Sequence, residues 1–342
     1  MKSRTGSLVS RLVAVTGSLA VGMGLLATPA LAAEGPDLDE PYSWVEEFDS
    51  WEALDGWNIF NQPDYNNDDA LYTKDALEVV DGQLVITTRR HCVDEDIDLH
   101  DRSNHHLLTD DNASVAPCAD DEYEKFTSGR LQSPDIARGE FDVAVTASIE
   151  TGDTRGVRSA IWMQNESAAC SADPTQAYGE LDLVEHFSHE ARSVWSPSNT
   201  HLGCRPLGQN GTNNAPRELR VGPEITGETH TWSASTTRDQ VAYFFDGEPI
   251  DRESWRHDTV LGHAQVDDFN LAQWDYDEIL NQNWKLILNQ KVENAEWTKP
   301  ASPDEDFPVR TMTVDRVEVN GTPFTEVASA PNPGERLSSF SS

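Results

Sequence analysis

The sequence predicts an all-β fold, an antiparallel sandwich or barrel, and three observations lead there. Short runs that alternate apolar and polar residues recur from Trp44 to Val319, bounded by Gly, Asp, Asn and Pro. They are not interrupted by any long amphipathic helical pattern; only Asp277 to Asn283 suggests a short helix. Neither an internal repeat nor a Pro- or Ser-rich linker divides the middle of the chain, so one domain is the simpler organisation.

The strand candidates are explicit. Gln83-Leu-Val-Ile-Thr87, Gly139-Glu-Phe-Asp-Val-Ala-Val-Thr-Ala147, Gln240-Val-Ala-Tyr-Phe-Phe-Asp246 and Thr311-Met-Thr-Val-Asp-Arg-Val-Glu-Val319 place β-branched and aromatic residues with the period of two expected of a half-buried strand. Between such runs, His91 to Glu124 is polar and holds two cysteines, which predicts a long loop inserted between strands and pinned by a disulfide. After Asn320 the chain turns to Pro, Ser and Gly, the composition of a flexible tail, expected over 323–342.

At the other end, Lys2, Arg4 and Arg11 precede the apolar run Leu12 to Leu26 and the small-residue sequence Ala30-Leu31-Ala32. This is the form of a secretory signal over 1–32, with an apolar core too short to span a bilayer comfortably. A mature domain over 33–322, secreted and extracellular, is the expectation.

The chain has 25 basic and 60 acidic residues, a net charge of −35. The signal takes away three of the basic residues and none of the acidic ones, leaving 22 against 60 and a net of −38. Such a surface keeps a protein soluble and repels polyanions, which argues against nucleic acid, anionic lipid and heavily sulfated polysaccharide as the main partner. Four cysteines, Cys92, Cys118, Cys170 and Cys204, in a chain bound for an oxidising compartment predict disulfides rather than a metal site. Three pairings are possible; Cys92 with Cys118 and Cys170 with Cys204 is preferred, since each would close a loop between neighbouring strands.

The segment richest in chemistry is Tyr178-Gly-Glu-Leu-Asp-Leu-Val-Glu-His-Phe187. In a regular strand Glu180 and Asp182 share a face and Glu185 falls on the other. A one-residue β-bulge near Val184 would return Glu185 to their face, and bulges are frequent beside active sites for this kind of re-aiming. Three acids on one face of an otherwise apolar strand would be costly if buried and unpaired, so they must line something wet or reactive. Two carboxyl groups about 5 Å apart suit a retaining glycosidase, with one as nucleophile and the other as acid and then base.

At this strand the chain resembles a family 16 glycoside hydrolase, whose pattern is Glu-x-Asp-x-Glu or, with the bulge, Glu-x-Asp-x-x-Glu; Glu180-Leu-Asp-Leu-Val-Glu185 matches the bulged form. Further segments resemble the family in order. They are Val45-Glu-Glu-Phe-Asp49, Asp81-Gly-Gln-Leu-Val-Ile86, Phe126-Thr-Ser-Gly-Arg-Leu131, Ser159-Ala-Ile-Trp-Met163, Asn199-Thr-His-Leu-Gly203, Phe245-Asp-Gly247 and Val314-Asp-Arg-Val-Glu-Val319. The chain departs from the laminarinase pattern at Ala144, where many relatives have Arg, and at Leu288-Asn-Gln-Lys-Val-Glu-Asn-Ala-Glu-Trp297, which replaces the usual Gly-Gly before Trp.

The resemblance implies a β-jelly-roll sandwich with a concave sheet forming an open cleft, Glu180 as nucleophile, Glu185 as acid/base and Asp182 between them. It also implies Trp162 as a platform for the apolar face of a sugar, with Arg130, His201 and Trp232 as further substrate contacts. No cofactor is expected for catalysis. A structural Ca²⁺ would be held by Glu47, the carbonyl of Gly82 and Asp315. His186 and His189, after the catalytic segment, read as solvated loop residues or further site residues. The expected partner is a polysaccharide, a neutral β-glucan first, cut by an endo-acting retaining β-glycanase that works as a monomer, with no nucleic acid and no membrane. A marine galactan is the alternative substrate, and a non-catalytic carbohydrate-binding sandwich is the alternative of another class.

Overall fold

A computed structural model describes residues 34–150, 155–167, 178–188, 199–204, 212–214, 225, 227–249, 263–265, 273–295 and 300–325, of which 199–204, 212–214, 263–265 and 273–275 are described by backbone alone. The signal segment, Cys170, His189 and the tail beyond 325 lie outside the described residues.

The strands run, in chain order, β1 (Tyr42–Glu46), β2 (Asn58–Ile59), β3 (Gln62–Asp64), β4 (Asn67–Tyr72), β5 (Leu77–Val80), β6 (Gln83–Val93), β7 (Tyr123–Ser128), β8 (Arg130–Gln132), β9 (Glu140–Glu150) and β10 (Val157–Asn165). They continue as β11 (Gly179–Phe187), β12 (Asn199–Cys204), β13 (Thr212–Asn214), β14 (Thr229–Thr236), β15 (Gln240–Phe245), β16 (Glu248–Pro249), β17 (His263–Gln265), β18 (Trp284–Val292) and β19 (Arg310–Thr322), with one α-helix, α1 (Gln273–Leu280), before β18. The larger sheet has the order β16-β15-β14-β9-β19-β6-β7-β4-β3, with β1 on β19, β17 on β15 and β5 on β6. The smaller has the order β13-β12-β11-β10-β18-β8-β2. This is the all-β jelly-roll sandwich that the sequence predicts.

Alternation explains the layers. On β9, Phe141, Val143, Val145, Ala147 and Ile149 are buried while the residues between them are not, and β19 repeats the pattern with Met312, Val314, Val317 and Val319. From the smaller sheet, Leu131, Ile161, Met163, Leu181, Leu286 and Leu288, all fully buried, meet them in one cluster. Each such side chain contributes roughly 1.5–3 kcal/mol of burial free energy, so one face of each sheet is committed to the core. The opposite face of the smaller sheet is left for chemistry.

Local sequence fixes the joints. Val80 pairs with Gln83 across the two-residue turn Asp81-Gly82, where both residues have positive φ (53° and 77°). That is the hairpin geometry for which Asp-Gly is suited, and Asp246-Gly247 repeats it between β15 and β16. The insertion after β6 is as expected: β6 and β7 are antiparallel neighbours, and Cys92–Cys118 bridges the loop between them, closing 26 residues.

Two expectations are corrected here. The short helix starts and ends earlier than Asp277 to Asn283, because Tyr276, Ile279 and Leu280, spaced three and four apart, are its buried face. Trp232 is a core residue, 1% exposed on β14 of the larger sheet, where its ring lies 5.8 Å from that of Phe245. With Ala234 and Thr236 it occupies the inward phase of its strand, so it cannot stack on a substrate.

Candidate active site

The site is built on β11. Gly179 opens the strand against the ring of Trp284, where an added Cβ would lie 2.4 Å from that ring, so a side chain there would push the strand away. From that point β11 pairs with β10: Glu180 opposite Gln164, Leu181 opposite Met163 and Asp182 opposite Trp162. Then the register slips. Val184 faces Ile161 and Glu185 faces Ala160, leaving Leu183 as the extra residue of a β-bulge. Ala160, Trp162 and Gln164 alternate along a regular strand and share one face, so Glu180, Asp182 and Glu185 share it too. Leu183 (1% exposed) and Val184 (0%) both turn into the core, as the two residues of a bulge can. The bulge lies near Val184, as the sequence predicts.

Since the bulge only absorbs one residue, deleting Leu183 should leave Glu185 opposite Ala160 in a regular ladder. The expected result is a protein destabilised by about 2–5 kcal/mol for the lost buried leucine that still cleaves substrate. A folded deletion variant as inactive as one lacking Glu180 would show that the bulge itself aims the carboxyl group.

Each acid has a defined setting. Tyr178 Oη donates a hydrogen bond to Glu180 Oε2. Burial first, and the Glu180 charge second, push the Tyr178 hydroxyl well above its ordinary value, so it stays protonated and donates. Asp182, 4% exposed, lies between the two glutamates and its charge is felt by both Tyr178 and Arg158. Arg158 Nη1 donates to Glu185 Oε1 at 2.5 Å, and its Nε lies 2.8 Å from Glu293 Oε1. Burial opposes the charge on Arg158, but Glu185, Glu293 and Asp182 together hold it above the ordinary guanidinium value.

Trp162 is partly exposed on this face, its Nε1 donating to Asn289 Oδ1 at 2.8 Å. Arg130 reaches it from β8, with Cζ 5.4 Å from the indole, 4.6 Å from the Phe60 ring and 6.0 Å from the Tyr72 ring. His201 is the backbone partner of Glu180 on β12. The structure therefore brings Glu180, Asp182, Glu185, Trp162 and Arg130 onto one face, with His201 in the adjoining ladder. His186 is not a loop residue: it lies in β11, fully buried, opposite Ser159. Ala144 lies on β9 of the larger sheet, paired with Ser233 and Glu318 and off the cleft sheet.

Sequence reading missed Tyr178, Arg158, Lys291 and Glu293. A signal for two of them existed, since Lys291 and Glu293 fall within the segment that departs from the Gly-Gly pattern. Their meeting with Arg158 depends on the β10–β18 register, which pairs Arg158 with Lys291.

The pattern of Glycosyl hydrolases family 16 matches residues 66–283, well over half of the chain and the whole of this site up to the start of β18. The chain belongs to glycosyl hydrolases family 16. Among curated protein sequences none matches it. Solved structures similar to this glycoside hydrolase include the catalytic domain of an endo-1,3-β-glucanase (laminarinase) from Thermotoga petrophila RKU-1, with 19% identity, a TM-score of 0.55 and coverage of 83% of this chain and 99% of that one. The endo-β-1,3-glucanase of Pyrococcus furiosus is similar at 19% identity and a TM-score of 0.55, covering 82% and 93%. A Bacteroides ovatus family 16 protein in complex with a G4G4G3G product is similar at 14% identity and a TM-score of 0.54, covering 81% and 99%. These likenesses establish the hydrolase's fold.

The calcium ligands expected from resemblance do not fit an ion as the family 16 chain places them. Glu47 Oε1 is taken by the Arg316 guanidinium at 2.5 Å, and Asp315 Oδ1 accepts from Gln83 Nε2 at 2.5 Å. A guanidinium already neutralises the first carboxylate, and an amide already occupies an oxygen of the second. Chelation is therefore expected to leave the melting midpoint unchanged. A fall of more than about 3 °C, roughly 1 kcal/mol for a domain near this size, reproduced by Asp315→Ala, would overturn this.

Proposed function

We propose that this hydrolase is a secreted, monomeric, endo-acting β-glycanase that cleaves with retention of anomeric configuration, and that its first substrate is a β-1,3-glucan. The observation that carries the mechanism is the placement of Glu180, Asp182 and Glu185 opposite Gln164, Trp162 and Ala160 on the solvent-facing side of one sheet. Glu180, held by the Tyr178 hydroxyl, attacks the anomeric carbon while Glu185 gives its proton to the departing glycosidic oxygen. The glycosyl-enzyme ester is then hydrolysed by a water that Glu185 deprotonates. Asp182 stands between the two as an orienting hydrogen-bonding group. Trp162 offers its ring to the apolar face of a pyranose, and Arg130 and His201 are the candidate hydroxyl contacts beside it.

The glucan preference is supported by likeness to the endo-1,3-β-glucanases of Thermotoga petrophila and Pyrococcus furiosus, and secretion by the basic-then-apolar N-terminal segment. A galactan reading is favoured by one observation, the cations Arg158 and Lys291 on the same sheet face. The test is release of reducing ends from laminarin, mixed-linkage glucan, agarose and carrageenan, with proton NMR of the first product. Fast release from laminarin as the β-anomer is the expected result; an α-anomer would remove the nucleophile role from Glu180.

A further inference from the structure

One row beyond Glu185, the cleft face carries a charge cluster that the two-step cleavage does not use. Arg158 precedes Ala160 on the same face of β10, and across the ladder it meets Phe187 on one side and Lys291 on the other. The Lys291 residue is 7% exposed, and its ammonium makes no hydrogen bond among the described residues. Its one carboxylate neighbour among those residues, Glu293 Oε1, is 3.9 Å away and already lies 2.8 Å from Arg158 Nε. Beside it stands Tyr65, 73% exposed, with its ring centroid 5.9 Å from the same ammonium. Two hydrogen bonds tie this aromatic to the strand of cations: Asn67 Nδ2 donates to Val292 O at 3.0 Å, and Asn294 Nδ2 donates to Asn66 O.

Arg158 has Glu185, Glu293 and Asp182 around it, whereas Glu293 alone lies within ion-pair distance of Lys291 among the described residues. The first chemical step needs Glu185 protonated. In that state Glu293 is the one carboxylate within ion-pair distance of both cations among the described residues, and the Lys291 ammonium, with no hydrogen bond to any of them, has donors left for a ligand. A neutral sugar hydroxyl can accept from the ammonium but brings no charge to meet it. An oxyanion does, since a guanidinium and an ammonium side by side offer converging charged donors, and a pyranose carrying that oxyanion would lie against the exposed ring of Tyr65.

We propose that Arg158, Lys291 and Tyr65 form a subsite for a sugar residue bearing an oxyanion substituent, a sulfate ester or a carboxylate, adjacent to the bond that is cut. The proposal rests on the glycanase reading of the cleft, though not on which backbone is cleaved. It also narrows the argument from net charge. Repulsion by a surface of −38 acts over distances that salt screens within about 8 Å at physiological ionic strength, whereas the Arg158 and Lys291 donors act in contact.

The experiment uses the full chain carrying Glu180→Gln and measures binding by calorimetry. The probes are κ-carrageenan oligosaccharides and their desulfated forms, β-linked mannuronate oligosaccharides and their carboxyl-reduced forms, and laminari-oligosaccharides. The expected result is that one charged probe binds about tenfold or more tightly than its uncharged counterpart, the range of a charge-assisted hydrogen bond; which pair shows this separates sulfate from carboxylate. Adding Lys291→Met should bring that pair to near parity while leaving the uncharged probe within about twofold, and Lys291→Arg should keep the preference. No charged probe outbinding its counterpart, or Lys291→Met weakening both members of the pair equally, would overturn the subsite. If Lys291→Met does not fold, the charged-to-uncharged comparison and Lys291→Arg still decide. Reducing-end release by the unmodified enzyme tests cleavage separately, so a chain that cuts a neutral glycan without charge preference loses the subsite and keeps the activity.

Discussion

Glu180→Gln is expected to lower turnover at least about 10⁴-fold, equivalent to roughly 5.4 kcal/mol of transition-state stabilisation. The melting midpoint should change little. An amide has nearly the shape of the carboxylate but is a poor nucleophile, and Tyr178 Oη can still donate to the amide oxygen as it now does to Glu180 Oε2. The glutamate is only partly buried, so exchanging it leaves no cavity. Initial rates on the substrate chosen by the polysaccharide panel, with a melting curve on the same preparation, check both halves. Retained wild-type turnover would sink the assignment of Glu180, and a lost fold would mean that the Tyr178 contact is structural.

Glu185→Gln is expected to show a different signature. Loss of the proton donor should cost about 10³-fold or more on a polysaccharide, whose leaving group needs protonation, and much less on an aryl glycoside, whose leaving group does not. If Glu180 forms the ester, that ester then waits for a base, and azide should release it as a glycosyl azide of retained configuration. The variant also gives Arg158 a neutral amide oxygen in place of the charged partner it holds at 2.5 Å. A similar loss on both substrate types, with no glycosyl azide formed, would remove Glu185 from the acid/base role.

Much of this arrangement was legible in the chain because it is local. Three acids within six residues of an apolar strand announce their own face, and the bulge could be inferred because without it Glu185 points into the core. The Cys92–Cys118 bridge was legible for the same reason, since both cysteines flank one insertion between neighbouring strands. Trp232 was not. Alternation says that a residue is on the inward or outward phase of its strand, but not which sheet the strand joins, and on the larger sheet the inward phase is the core. Arg158, Lys291 and Glu293 escaped because their meeting depends on a long-range register, and no property of any one segment reveals which row faces which. The calcium expectation failed to fit through a single neighbour: Arg316, adjacent in sequence to Asp315, turns to Glu47 and Glu318.

The position of β19 governs when the molecule can exist at all. This strand, Arg310 to Thr322, lies inside the larger sheet, with β9 along one edge and, on the other, β6 beside Arg310–Val314 and β1 beside Val317–Gly321. Among the described residues β1 has no other strand partner. A ribosome makes β1, β6 and β9 long before it makes β19, so for most of synthesis three strands have the same missing neighbour. Pairing Trp44 with Val319 closes nearly the whole domain at once, the kind of non-local step that is slow and leaves edges open to association while it waits. β19 thus acts as a timer: until it is made, β1, β6 and β9 lack the neighbour that joins them.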